Sequence, residues 1–335
     1  MKILILRFSS IGDIVLCTPV IRTLRSQLPD AEIHFATKDS YRGLLDENPY
    51  LTKVHSLQES LSQLIKELKS ENFDLVIDLH NNLRTRWIKT RLGVKSYTLD
   101  KLNIKKWLLT TFKINLLPNR HIVDRYMDCV EPLGIKMDSL GLDYFIPHKD
   151  EVELEWLPKE YQHGYAAVVI GAKFATKRLP KERIIELCDR INKPIILIGG
   201  PEEKPIGEEV ELFFQRNEPE DFSEGLHALG KKAIVFNACG KFNFHQSASL
   251  VKQSRWVFTH DTGLMHVAAA FKKEIYSIWG STIPEFGMYP YRTKFVIFEN
   301  KNLKCRPCSK LGHKTCPAGH FKCMRELHFD FYLPD

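Results

Sequence analysis

Four short segments carry residue types that could do chemistry. The first, Arg7-Phe8-Ser9-Ser10-Ile11-Gly12-Asp13, joins an apolar run to a helical pattern. A turn of small residues between a strand and a helix leaves backbone N–H groups exposed, which suits an anion or a sugar hydroxyl. Asp13 has two readings from its position: a carboxylate capping the helix start, or a general base beside the turn. The segment is not a G-x-G-x-x-G fingerprint, which disfavours a nicotinamide-type pyrophosphate site. The second segment, Thr259-His260-Asp261-Thr262-Gly263-Leu264-Met265-His266, precedes a small-residue helix, Val267-Ala268-Ala269-Ala270. Asp-Thr-Gly at a helix start offers N–H groups, a hydroxyl and no side chain at Gly263, a seat for phosphate oxygens. The alternative is an ordinary cap followed by a packed His266.

The third segment runs from Gly171 to Pro180 and holds Lys173, Lys177 and Arg178. Three cations ahead of a Pro-initiated helix would neutralise a diphosphate, although lysines more often simply face solvent. The fourth is Gly199-Gly200-Pro201-Glu202-Glu203, where a carboxylate could accept bonds from ribose hydroxyls or merely favour a helix start.

These segments need elements to position them. Apolar or β-branched runs at Lys2–Arg7, Glu32–Thr37, Phe73–Asp78 and Val94–Thr98 predict strands, with helical patterns over Ile14–Leu28 and Leu57–Leu68. Pro19 inside the first of these helices predicts a kink. An acidic, Pro-containing stretch at 147–164 breaks the pattern. A second series follows, with strands at Tyr165–Ile170, Pro194–Ile198, Ala233–Phe236, Arg255–Thr259, Glu274–Ile278 and Phe295–Phe298, and helices after Pro180, Pro201, Asn243 and Asp261. Alternation of this kind predicts βαβ units on parallel sheets, in two α/β domains. The chain length of 335 residues agrees with two domains.

Apolar residues make up 44% and charged residues 27%, ordinary globular values that exclude a disordered or low-complexity chain. The formal net charge of +7 hints at an anionic partner, and it is localised. Between Leu83 and Arg125 stand eleven basic residues against Asp100 and Asp124, which leaves the remainder about neutral. The opening apolar run is too short for a signal peptide, and no run approaches the roughly 18 residues of a spanning helix, so a cytoplasmic protein is expected. Eight cysteines in such a chain predict free thiols or a metal site rather than disulfides. Cys305, Cys308, Cys316 and Cys323 begin with a C-x-x-C of metal-ligand spacing but lack a second one, so reduced, packed thiols are the expectation.

Taken together, the four segments resemble glycosyltransferase family 9, the heptosyltransferases that move a heptose from an ADP-sugar to the lipopolysaccharide inner core. The similarity rests on an S-S-x-G-D segment (Ser9, Ser10, Gly12, Asp13), a K-x-W-P-like element ending at Pro180, and D-T-G-x-x-H from Asp261 to His266, in order along nearly the whole chain. Leu179 stands where many members carry Trp, and Lys173 where several carry a small hydroxyl residue. The resemblance implies a GT-B fold, two Rossmann-like domains facing across a cleft. Residues 1–155 would form an acceptor-binding domain, 156–315 a nucleotide-sugar domain, and 316–335 a segment returning to the first. It implies inverting transfer without a metal or other cofactor. Asp13 would be the base for the acceptor hydroxyl, and Ser9, Ser10 and Gly12 would shape that corner. Lys177 would face the donor phosphates, while Asp261, Thr262, Gly263 and His266 would hold the diphosphate and sugar. Glu202, with Glu203 one step away, would bind ribose, and Phe242 would contact adenine.

The partners implied are an ADP-sugar donor and an anionic glycolipid acceptor, met peripherally at the cytoplasmic face of the inner membrane, where Trp87 and Trp107 interleave with the cations. A family member with another nucleotide-sugar donor fits the same residues. A nucleic-acid-binding protein using the basic segment and a zinc knuckle would leave Asp-Thr-Gly and Ser-Ser-Ile-Gly-Asp without a role, so no nucleic-acid partner is expected. A nucleotide-sugar epimerase of the same architecture would need no lipid acceptor.

Overall fold

The computed structural model describes residues 1–216 and 233–334. They form two compact units, Met1–Lys105 with Leu117–Phe145, and Lys106–Leu116 with Ile146–Asp335. The division therefore falls ten residues before the expected boundary at 155, and the short piece 106–116 groups with the second unit.

The first unit is built on five parallel strands, β1 (Lys2–Leu6), β2 (Glu32–Lys38), β3 (Lys53–Leu57), β4 (Leu75–Asp78) and β5 (Lys95–Thr98), in the order β3-β2-β1-β4-β5. β1 lies centrally, with Leu6 opposite both Ala36 and Asp78. Its continuous apolar run is what a strand covered on both faces requires. The helix Leu61–Ser70 is capped by Ser60, whose hydroxyl accepts from the Gln63 N–H. Its Leu64, Ile65 and Leu68 pack on Leu4, Leu6 and Val76 together with Ile88 of the helix Leu83–Leu92. Arg22, 4% exposed, ties the helix Thr18–Gln27 to the later chain by bonds to Asp138, Asp143 and the Gly141 carbonyl.

Two local expectations are corrected here. Pro19 does not kink one helix; the helix Ile11–Val15 ends, and a new one starts at Thr18 with Pro19 in its first turn, where a missing N–H costs nothing. Leu57 does not open a helix but closes β3, a strand whose sequence, Lys-Val-His-Ser-Leu, is too polar to signal itself at a sheet edge.

The second unit holds six parallel strands, β6 (Ala166–Val169), β7 (Pro194–Ile198), β8 (Ile234–Asn237), β9 (Trp256–His260), β10 (Glu274–Trp279) and β11 (Phe295–Glu299), in the order β11-β10-β9-β6-β7-β8. Helices Lys181–Ile191, Lys204–Gln215, Phe244–Gln253 and Gly263–Ala270 join them. The end of the chain, expected to return to the first domain, instead completes this core. Cys323, Met324, Leu327 and Phe329 are buried among Phe258, Tyr276 and Phe298, with the Phe298 and Phe329 rings edge-on at 5.5 Å. Burying these rings removes a large apolar area from water, which favours this packing.

Arg306, 8% exposed, fixes the cysteine-bearing loop by donating to the carbonyls of Gly280, Asn300 and Thr282 and pairing with Glu299 at 3.1 Å. Gly280 is crowded: a Cβ there would stand 2.5 Å from the Thr176 carbonyl oxygen and 2.7 Å from the Met324 methyl. Gly280→Ala is therefore expected to lower stability by about 1–3 kcal/mol, the usual cost of overpacking, seen as a lower midpoint in denaturant unfolding.

Candidate functional site

Each sheet reverses its order of strand addition once. In the first unit the reversal lies between β1 and β4, and in the second between β6 and β9. Loops leaving the carboxyl ends of such a strand pair diverge and leave an open crevice, the general ligand position of doubly wound sheets. Both crevices collect the residues singled out above.

In the first unit the loop after β1 holds Asp13 by three donors. Arg7 pairs with its Oδ1 at 2.5 Å, and the Ser10 N–H and hydroxyl donate to Oδ2 at 3.0 and 2.7 Å. The helix cap is thus Ser10 and not Asp13, which as the third helical residue reaches back to the cap's N–H. Burial pushes its pKa up, but the Arg7 charge and the Ser10 bonds outweigh it and hold the carboxyl down to about 2. Ser9 contributes its carbonyl to Arg7 Nε at 2.8 Å, and Gly12 is buried in the helix. Arg7 was not singled out by type, yet it is the organiser here. It is 8% exposed, also donates to the Leu79 carbonyl, and lies 5.8 Å from the centre of the Tyr126 ring. The available signal was its place: a charged residue closing an apolar strand, six positions before Asp13.

In the second unit Lys177, in the loop after β6, meets Asp261, in the loop after β9. Its ammonium donates to Asp261 Oδ2 at 2.5 Å, and the Thr282 hydroxyl reaches the same oxygen at 2.9 Å. The helix Gly263–Ala270 starts two residues later with Thr262 as its cap, and no cap side chain bonds its N-terminal N–H groups. A lysine and an uncapped helix N-terminus on adjacent loops form a seat for phosphate oxygens. His260, 1% exposed, accepts from the Leu179 N–H at 3.0 Å, and burial holds its pKa down to about 3, so a neutral imidazole fixes the lysine loop. Leu179 itself is buried. His266, expected at the ligand, is 2% exposed within the helix.

The loop after β7 separates the two acids. Glu203 is buried, accepting from the Gly200 N–H at 2.9 Å and pairing with Arg178 at 3.0 Å, whereas the Glu202 side chain is 82% exposed and touches Arg178 at 3.4 Å. Phe242 lies half-buried in the turn after β8, ahead of the helix Phe244–Gln253. Lys177, Glu202, Phe242 and Asp261 thus all leave the carboxyl ends of β6, β7, β8 and β9 within one sheet.

Other polar clusters are accounted for locally. Among the described residues, His34, His55 and Glu71 are the group whose ligand atoms lie within 4.8 Å of one another. Glu71 already accepts from Lys53 at 2.6 Å and Lys2 at 3.2 Å, while His34 and His55 bond each other at 2.9 Å. All eight cysteines are free thiols. Cys308 Sγ donates to the Cys305 carbonyl at 3.2 Å and Cys323 is buried in the core. Replacing Arg7 by Met is expected to raise the Asp13 carboxyl from about 2 towards its usual 3.8, because burial is then opposed by the Ser10 bonds alone. Carboxyl carbon NMR titration reads the shift, and an unchanged midpoint would refute the role given to Arg7.

Comparison with known proteins fits this geometry. The model of glycosyltransferase family 9 (heptosyltransferase) matches residues 61–320. The chain is 24% identical over 336 residues to lipooligosaccharide heptosyltransferase 2 of Haemophilus influenzae, covering 93% of each. It is 22% identical over 304 residues to lipopolysaccharide heptosyltransferase 1 of Campylobacter coli, covering 84% of each. Among solved structures, a family 9 glycosyl transferase from Veillonella parvula superposes with a TM-score of 0.68 at 21% identity, over 88% of this chain and 85% of that one. The ADP-heptose lipopolysaccharide heptosyltransferase II of E. coli gives 0.67 at 18% identity, over 97% and 98%. These likenesses place the two Rossmann-like units in the GT-B fold class. With its family match covering more than three-quarters of the sequence, the chain belongs to glycosyltransferase family 9, the heptosyltransferase family, and is a glycosyltransferase.

Proposed function

We propose that this enzyme transfers a heptose from ADP-heptose to an acceptor in the lipopolysaccharide inner core, with inversion at the anomeric carbon. The observation that carries the donor half is the Lys177 ammonium beside the open N-terminus of the helix Gly263–Ala270, at the strand reversal of the second unit. The names of the relatives, lipopolysaccharide and lipooligosaccharide heptosyltransferases, support the sugar and the acceptor.

In this reading the diphosphate takes Lys177 from Asp261 and receives the N–H groups that follow Thr262. Asp261, released, accepts from sugar hydroxyls, and Glu202, the exposed acid, from the ribose. His266 supports the helix from inside rather than touching ligand. As the bond to the anomeric carbon breaks, charge growing on the departing ADP is met by fixed donors, which cost no reorganisation at that moment. Asp13 accepts the proton of the attacking hydroxyl. Held at about 2, it is ionised throughout the working range but is a weak base. The proton therefore moves only as the new bond acidifies the hydroxyl.

The acceptor's anionic, lipid-linked character gives the basic segment a partner. Lys89 is spent on Asp78, Arg120 on Asp128, Lys113 on the Cys305 and Pro307 carbonyls, and Arg125 on the Asp100 carbonyl. Arg86, Arg91, Lys95 and Lys105 face water, as does an apolar strip: Ile104, Trp107 and Phe112 on the helix Asn103–Phe112, then Ile114 and Leu116, each at least half exposed. Large apolar side chains among lysines suit the interface of an anionic membrane, and among the described residues no helix is long and apolar enough to cross one.

Asp13→Ala is expected to lower kcat by about 10²–10⁴ while leaving ADP affinity unchanged; near-normal turnover would remove Asp13 from the reaction. Lys177→Ala is expected to weaken ADP by about ten- to a hundredfold, the worth of a charge-assisted bond, measured by calorimetric titration. In co-sedimentation, vesicles rich in phosphatidylglycerol should bind the enzyme and release it with salt, and Trp107→Ser with Ile104→Ser should lower the bound fraction. Binding indifferent to lipid charge would refute the membrane contact.

A further inference from the structure

The loop after β4 brings two further donors to the strand reversal of the first unit. The Phe8 N–H donates to His80 Nδ1 at 3.0 Å, so the ring proton of a neutral His80 sits on Nε2. That atom makes no hydrogen bond among the described residues. His80 is held rigidly from behind: its own N–H and that of Asn81 donate to Asp78 Oδ1 at 3.0 and 2.7 Å, and Lys89 grips the other oxygen of this fully buried carboxylate at 2.9 Å. Burial, then the charges of Arg7 and Lys101, hold the imidazole pKa down to about 4, so at neutral pH it is an uncharged donor and not a base. Arg84, the second residue of the helix Leu83–Leu92, lies with its guanidinium carbon 5.4 Å from the centre of the buried Phe8 ring, and none of its N–H groups has a hydrogen-bond partner among the described residues. Phe8 therefore carries one donor at its backbone and one over its ring, and the chain continues from it directly into Ser9, Ser10 and Asp13.

We infer that His80 Nε2–H and the Arg84 guanidinium, seated on Phe8, form a binding subsite for an acidic group of the acceptor, a carboxylate or a phosphate. His80 Nε2–H and the Arg84 guanidinium are both donors. The carboxylates of Asp13 and Asp78 are already committed, to Arg7 and to Lys89, which favours an anion over a cation here. The planar fork of Arg84 matches two oxygens of one acid, and His80 supplies a third bond from fixed geometry. Such a subsite would hold the acceptor by its charge while its hydroxyl lies near Asp13. The assignment rests on the proposed function in placing the acceptor at the first unit.

The test uses the full chain and four probes: glucuronate, glucose, inorganic phosphate and ADP. The His80 pKa is followed by ring-proton and nitrogen NMR, and affinities by titration. Glucuronate or phosphate is expected to raise the His80 pKa from about 4, since an anion favours the imidazolium, while glucose leaves it unmoved. A response to glucuronate alone identifies a carboxylate as the ligand group, and one to phosphate alone a phosphate. Arg84→Ala and His80→Ala should each weaken the responding anion about tenfold, the loss of one charge-assisted bond. His80→Gln can still accept from Phe8 and donate outward, and should retain most of the affinity. Failure of both anions to bind the unmodified protein, or binding in the two alanine variants as tight as in the unmodified protein, overturns the subsite. ADP binding, expected to be the same in all variants, reports separately on the proposed function: its absence from the unmodified protein would overturn that reading and leave the anion measurements standing by themselves.

Discussion

Function in this chain depends on a topological constraint, the single reversal in strand order within each parallel sheet. A parallel strand must be left by a crossover, and where successive crossovers run in opposite directions the loops above the sheet part. β1 with β4, and β6 with β9, are the pairs where this happens. The backbone there is open by construction, so side chains can converge on a ligand without a cavity having to be carved from the core. The helices and the apolar strands, from Lys2–Leu6 to Trp256–His260, serve to hold those two gaps open at fixed width.

Charge is handled alike in both gaps. Arg7 with Asp13, Lys177 with Asp261, and Arg178 with Glu203 are each paired, with one or both partners mostly buried. A half-buried ion without a partner would cost several kcal/mol, and pairing removes that cost while leaving the groups in place. The pairs differ in what they do next. Asp13 keeps Arg7, because Arg7 is also tied to the Ser9 and Leu79 carbonyls and cannot leave. Among the described residues Lys177 bonds only the Asp261 side chain and carbonyl, which in the proposed function it exchanges for the donor diphosphate.

Most strands could be read from sequence because buried parallel strands are nearly all apolar, and the loops of interest fall at their ends. β3 could not, since His55 faces the core but Lys53 and Ser56 break its pattern. Ser10, Asp13, Lys177 and the Asp-Thr-Gly turn were legible because their chemistry is local, a small-residue turn or a helix start. Arg7, His80 and Arg84 were not, because their roles come from pairing between strands distant in sequence: Leu6 beside Asp78 is a fact of register, and no local pattern encodes it. The path of the last twenty residues was misplaced for the same reason, as their aromatic partners Phe258, Tyr276 and Phe298 lie on three separate strands.

Thr176 gives the molecule an unexpected seam. Its N–H donates to the His313 carbonyl at 3.2 Å, its hydroxyl accepts from the His313 N–H at 2.8 Å, and its carbonyl accepts from the Ser281 N–H at 3.2 Å. The lysine loop and the cysteine loop, some 137 positions apart in sequence, are therefore one mechanical piece. Hybrids between members of the family must inherit both loops from the same parent; a crossover between residues 180 and 305 would join a lysine loop to a foreign support. Drift in the cysteine loop is likewise constrained by the lysine loop it supports, so its history should track that loop rather than the surface around it.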